Sequence, residues 1–150
     1  MKLKARTKKV WFREGGIPAA VIADSISGHS AKRGIGAHSI FLGQVRADKV
    51  DEKQVTAITY SAYGEMAEEI LTAIREEIIV RYQLTCAHVL HSIGTVHTGE
   101  ICLFVFTSAP HRESAMRACE ELVERIKKEV PVFGKEQFQN GSFQWKNNRP

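Results

Sequence analysis

Two long helical patterns bracket a pair of β-type runs, and that alternation limits the possible folds more than any other feature of the chain. In the first pattern Met66, Ile70, Ile74 and Ile78 recur every four residues from Gly64 to about Tyr82, with Glu68, Glu69, Arg75, Glu76 and Glu77 occupying much of the rest. Such a period marks an amphipathic helix. In the second, Ala115, Cys119, Leu122 and Ile126 share one face, while Arg117, Glu120, Glu121 and Glu124 lie mainly on the other. Pro131 ends this helix, because its ring collides with the preceding turn and it has no N–H to donate. Between the helices, CAHVLHSIGTV and EICLFVFTSA are strand-forming and meet at the turn His97-Thr98-Gly99.

The first third of the chain adds shorter elements. Val10 to Phe12 reads as a short strand; Gly15, Gly16 and Pro18 break the chain, and Ala19 to Ser27 suits a short helix. Ser27 to Gly36 is turn-rich, and AHSIFLGQVR is a β-type run in which His38, Ile40 and Leu42 alternate with Ser39, Phe41 and Gly43. ADKVDEKQ reads as a flexible polar connection, and Val55 to Ala62 as a further strand. The resulting order is β, β, helix, β, β, helix, then short strands. This is an α+β arrangement, with helices packed on a mainly antiparallel sheet. Without repeats, low-complexity tracts or a linker, residues 1–150 read as a single domain whose first nine residues form a basic tail.

Composition removes several classes of function. With 150 residues, 43% hydrophobic and 25% charged, the chain has the make-up of a globular domain large enough for a real core. No apolar run approaches the roughly 20 residues needed to span a bilayer. The start, MKLKARTKKVWF, has no apolar segment of the kind found in secretory signals, so the cytosol is the expected location. Cys86, Cys102 and Cys119 are odd in number and widely spaced, which opposes a disulfide framework. Cys102 and Cys119 sit in apolar patterns and read as core thiols. The six histidines show no ligand spacing, and His88 and His91 should point to opposite faces of a strand, so no metal site is expected. The net charge of +4 permits nucleic-acid binding, but much of the excess lies in Lys2, Lys4, Arg6, Lys8 and Lys9. Phe104 and Phe106 have apolar and small neighbours and read as core, so no nucleic-acid partner is expected.

Cations concentrate in the last third. His111 and Arg112 follow Thr107 and Ser108 where a strand passes into a helix, a place where backbone N–H groups favour anions. Lys127 and Lys128 fall in the last helical turn, where they also complement the helix dipole, and Lys135 lies beyond Pro131 in an extended stretch. A lysine that is desolvated or close to other cations has a lowered pKa and can act as base or nucleophile. Arg46 closes the strand ending FLGQVR, three residues after Gly43, which permits close backbone approach or marks a bulge.

Taken in order, these pieces resemble the large, catalytic subunit of molybdopterin synthase from about Gly36 to Trp145. GAHSIFLGQVR is similar to that family's G-A-x-x-x-F-x-G-x-V-R, and ITYSAYGEMAEEIL to L-x-x-x-x-Y-x-x-M-A-x-x-x-L. HSIGTVHTGE resembles an H-R-x-G-x-x-x-x-G-E turn, with Ser92 where arginine is usual; TSAPHRESAM resembles an S-A-H-R helix entry, and KKEVPVFGKE with GSFQW resembles K-x-x-x-P-I-W-K-x-E followed by a tryptophan. The resemblance implies an α/β hammerhead fold and a sulfur-transfer enzyme with no cofactor. Its substrate would be cyclic pyranopterin monophosphate, converted to the dithiolene of molybdopterin. The sulfur would arrive as a thiocarboxylate on a small ubiquitin-like carrier, and a homodimer of large subunits would bind one carrier at each end.

The resemblance also implies roles. Arg46, His111, Arg112 and Lys128 would hold the anionic substrate, with Phe41 beside them on the strand. Lys127, four residues before the proline, matches the essential lysine, and Arg149 matches an arginine that reaches the neighbouring subunit's pocket. Two departures leave alternatives open. Gly134 stands where the family has a second active-site lysine, so that lysine is either lost or replaced by Lys135 across a bulge at Gly134. Pro110 is an apparent insertion before His111. The chain therefore reads as an active synthase, or alternatively as a non-catalytic paralogue that keeps the dimer and the anion pocket.

Overall fold

The computed structural model describes residues 11–146. The basic tail and Arg149 lie outside them. The chain forms β1 (Phe12–Glu14), α1 (Ala19–Ser27), β2 (Ala37–Gln44), β3 (Lys49–Val50), β4 (Lys53–Ala62), α2 (Gly64–Tyr82), β5 (Cys86–His97), β6 (Ile101–Ala109), α3 (Arg112–Glu129), β7 (Val132–Phe138) and β8 (Phe143–Trp145). The strands make one eight-stranded sheet in the order β2-β6-β5-β4-β7-β8, with β1 added to β5 and β3 to β4. All pairings are antiparallel except that of β1 with β5. The α+β reading therefore holds, and no helix among the described residues is long and apolar enough to cross a membrane.

Both long helices pack on one face of the sheet. Ala67, Leu71, Ile74 and Ile78 of α2 meet Ala115, Ala118, Cys119, Leu122 and Ile126 of α3 over Val89, Leu103 and Val105. The α3 stripe is the one its sequence pattern announces. The α2 stripe is not: Met66 is exposed and Ile70 only half-buried. A strict four-residue spacing drifts around a helix of about 3.6 residues per turn, so the early members of that series rotate out of the contact. On the opposite face, Ile17 just before α1 and Val21 and Ile22 within it lie over Phe104 and Phe106, which confirms both aromatics as core.

Two local features differ from expectation. The polar segment after Ala47 folds back as a tight β3–β4 hairpin, with Asp51 and Glu52 both at positive φ (49° and 65°). That is the twist a two-residue hairpin turn requires. The first strand begins at Phe12, two residues later than its apolar run, because it pairs with His91 to Ile93 of β5. At the next position β5 changes partner, pairing through Gly94 to Tyr60 of β4. Gly94 has φ +76°, a backbone conformation that strains any other residue, so this crossing of three strands favours glycine.

Candidate active site

Lys127 sits in the last turn of α3, two residues before its end, and is half-buried. Val130 and Pro131 turn the chain out of the helix, and β7 then runs antiparallel to β4 with Gly134 opposite Tyr60. Beyond β8 the chain returns over β7, where Lys146 N–H donates to the Gly134 carbonyl at 2.8 Å. The walls so formed enclose a narrow cavity of about 20 Å³, lined by Tyr60, His91, Lys127, Gly134 and Lys146 together with apolar side chains of α3 and β7. This volume admits roughly one water-sized group, not a bicyclic ring. Gly134 is part of its shape: a Cβ there would come within 3.1 Å of Ile58 Cγ2 and 3.3 Å of Tyr60 Cε1.

The polar groups around the cavity are pushed toward neutrality. Burial lowers the Lys127 pKa, the nearby Cys102 sulfur opposes this, and the neighbouring Lys146 ammonium lowers it further. His91 is buried and titrates near 4, mainly through desolvation; its hydrogen bond to Ser92 works against the shift and Lys127 adds to it. Its Nδ1–H donates to the Ser92 carbonyl at 2.6 Å, which fixes the tautomer and leaves Nε2 as an acceptor. The Tyr60 hydroxyl is held protonated by burial, then by Cys102 and Glu136. Its ring meets the His91 ring edge-on at 5.1 Å. An amine with a lowered pKa, set against two neutral hydrogen-bonding groups, gives up its proton more readily than a free lysine and is suited to acid–base work.

The remaining residues singled out from sequence are dispersed. Arg46 is exposed and pairs with Asp48 at 3.4 Å; Lys128 is exposed; Phe41 is half-buried against the main core. His111 is the N-cap of α3 and Arg112 its first residue, both exposed. They stand at the far end of the helix from Lys127, roughly 22 Å away at about 1.5 Å per residue. Arg46 lies toward the Lys127 end, because β2 and β6 pair with Ala37 opposite Ala109 and Gln44 opposite Ile101. One chain therefore does not gather all these cations in a single pocket.

Lys135 is also elsewhere. The β4–β7 register runs through Gly134 and Lys135 without a shift, so there is no bulge, and Lys135 alternates to the other side of the strand. Its Nζ lies 3.5 Å from the centre of the Phe143 ring and 6.0 Å from that of Trp145. The second lysine at the cavity is Lys146. Sequence reasoning missed Tyr60, His91 and Lys146, although one signal was present: His91 is the first histidine of the HSIGTVHTGE motif. It also missed a convergence of His29, Cys86 and His88 on the outer face of the sheet, since no local spacing links a residue in a turn to two in a distant strand.

The sequence model of the family described as "MoaE protein" matches residues 17–129. A molybdopterin synthase catalytic subunit from Oryza sativa subsp. indica is 40% identical over 114 residues, covering 76% of this chain and 58% of that protein. The chain thus spans little more than half the length of this relative. A crystal structure titled molybdopterin synthase from Staphylococcus aureus superposes with a TM-score of 0.82 at 28% identity, over 95% of this chain and 100% of that one. The fold recurs, at 16% identity and a TM-score of 0.78, in a complex of subunits 1 and 2 of molybdopterin-converting factor from Helicobacter pylori 26695, over 93% and 91% of the two chains.

Proposed function

We propose a sulfur-transfer function from one premise: the chain belongs to the MoaE protein family. In this reading it takes sulfur from the C-terminal thiocarboxylate of a small ubiquitin-like carrier and delivers it to cyclic pyranopterin monophosphate, forming the molybdopterin dithiolene. The observation that carries the proposal is the Lys127 amine, desolvated at the mouth of a cavity too narrow to hold a pterin. Its neutral form acts on the acyl–sulfur centre as base or nucleophile. Lys146 supplies the second positive charge that Gly134 cannot. The pterin lies outside the cavity, held by exposed cations.

His111 and Arg112 are too far from their own Lys127 to share a small substrate with it. They serve a pocket completed by a second copy, in keeping with a homodimer. Mixing Lys127→Ala and Arg112→Ala chains should then recover turnover above that of either parent, through hybrid dimers holding one intact site. No recovery after verified subunit exchange would place the whole site in one chain.

A second reading, a non-catalytic binding protein with the same pocket, is favoured by Gly134 and by the turning away of Lys135. Single-turnover conversion of cyclic pyranopterin monophosphate with a thiocarboxylated carrier separates the two. Product is expected from wild type and from Lys135→Ala, but not from Lys127→Ala. Wild-type-like product from Lys127→Ala would remove the catalytic assignment, and none from wild type with a validated carrier would favour the binding protein.

A further inference from the structure

Cys86 and His88 are two residues apart on β5 and so project from the same face, opposite to that of His91. His29 reaches them from the turn after α1. His29 Nε2 lies 3.0 Å from His88 Nε2 and 3.3 Å from Cys86 Sγ, and Cys86 Sγ lies 3.3 Å from His88 Nε2. Three soft donor atoms thus form a nearly equilateral triangle. His29 Nδ1 is 2.6 Å from the Ser25 carbonyl, an acceptor, so Nδ1 carries the proton and Nε2 turns its lone pair into the triangle. A carbonyl holding the outer nitrogen in this way is the usual support of a metal-bound imidazole. The Phe106 ring braces both imidazoles, edge-on to His29 at 4.9 Å and stacked with His88 at 6.1 Å.

We propose that His29, Cys86 and His88 bind a divalent metal ion of the zinc class, clamping the turn after α1 to the outer face of the sheet. Zinc bonds of about 2.0–2.1 Å to nitrogen and 2.3 Å to sulfur at a tetrahedral angle place two nitrogens about 3.3 Å apart and nitrogen and sulfur about 3.5 Å apart. The observed triangle is tighter by a few tenths of an ångström, within reach of small side-chain rotations. A cation slightly above its plane meets all three atoms, and a water completes the tetrahedron. One thiolate with two imidazoles selects zinc-like ions over magnesium or calcium. The Lys32 ammonium lies 3.2 Å from the sulfur and would give way to a bound cation.

The site has an entrance and a structural purpose. A groove of about 320 Å³ between α1 and β5, to which Ser25 and His88 contribute, opens to solvent beside the triangle. α1 has no fully buried residue, so its attachment rests on a few half-buried contacts that a metal would reinforce. The site stands apart from the Lys127 cavity across the thickness of the sheet and does not depend on the sulfur-transfer reading.

The test is titration of the full reduced chain with Co²⁺ as a spectroscopic probe. One equivalent is expected to give the thiolate-to-cobalt charge-transfer and visible d–d absorption of a tetrahedral site, displaced by Zn²⁺. Cys86→Ser should abolish the charge-transfer band, and His88→Ala should weaken binding at least tenfold. Zn²⁺ should raise the thermal midpoint of wild type, reversibly with chelator, and not that of Cys86→Ser. Absence of a saturable charge-transfer band in wild type would overturn the proposal without recourse to any variant. Persistence of the band in Cys86→Ser would overturn it by assigning the signal to another thiol.

Discussion

On one face of β5, His91, Tyr60 and Lys127 are desolvated and shifted toward their neutral forms; on the other, Cys86 is also buried, yet its thiol is shifted toward the charged form. The difference lies in partners. Around Lys127 the contribution of Cys102 opposes desolvation without outweighing it, and Lys146 adds to the shift. Around Cys86 the Lys32 ammonium donates to the sulfur at 3.2 Å and the His29 imidazole lies beside it, and together they outweigh burial. Burial sets the cost of a charge, and the groups aimed at it decide whether that cost is met. The two faces of one strand can therefore border an amine suited to proton transfer on one side and a sulfur suited to a metal on the other.

The comparison breaks first at Lys127. Replacing it with alanine should lower single-turnover rate by about 10²–10⁴-fold, the usual range for a lost acid–base group, while the fold remains intact by circular dichroism. A smaller loss would mean that the desolvated amine is incidental.

Next in size is an acid instability located on the cavity face. His91 titrates near 4 in the folded chain and near 6.5 when unfolded, so the unfolded state binds more protons between those values. Stability must then fall as pH drops through this window and level off below it, by about 2.5 kcal/mol between pH 7.5 and 4.5. Denaturant unfolding across that range should show the slope in wild type and its loss in His91→Phe. Retention of the slope would assign it to other groups.

Ser92, one residue along, allows a smaller test on the other face. Among the described residues its hydroxyl is the one buried side-chain polar atom without a hydrogen-bond partner. Ser92→Ala should leave stability unchanged or raise it by about 1 kcal/mol, read from the unfolding midpoint. A clear loss would reveal a hidden partner.

The finest effect concerns Lys146. If the neutral Lys127 amine is the active form, turnover rises with pH through its pKa. Removing the Lys146 charge relieves the repulsion that helps lower that pKa. The rising limb of the pH–rate profile for Lys146→Ala should therefore move to higher pH. A limb that stays in place would separate Lys146 from the chemistry.

Much of the fold was legible because its signals are local. The 3.6-residue period of α3, the stop at Pro131 and the apolar runs of β5 and β6 need no knowledge of distant residues. The limits of α1 were readable for the same reason, from Pro18 before it and the glycine and polar turn after it. The failures all required a partner. Met66 fits an apolar period but faces solvent, because the contact with α3 selects the stripe through Ala67 and Leu71. Asp51 and Glu52 belong to a type usual in loops, and only the pairing of Lys49 with Gln54 shows a hairpin. Lys135 was the nearest lysine in sequence to Gly134, yet strand alternation turns it to Phe143 and leaves the cavity to Lys146.

By itself, the sequence determined the elements, the point where α3 must stop, and a lysine four residues before that stop. Those follow from periodicity and from the missing N–H of proline, which act within a few residues. Tertiary structure decided which polar groups meet: His91 with Tyr60 and Lys127, His29 with Cys86 and His88, and His111 with neither. Alternation along a strand says only that two residues face opposite ways. What each one faces depends on loop closures spanning dozens of residues, and so do its desolvation, its protonation and its chemistry.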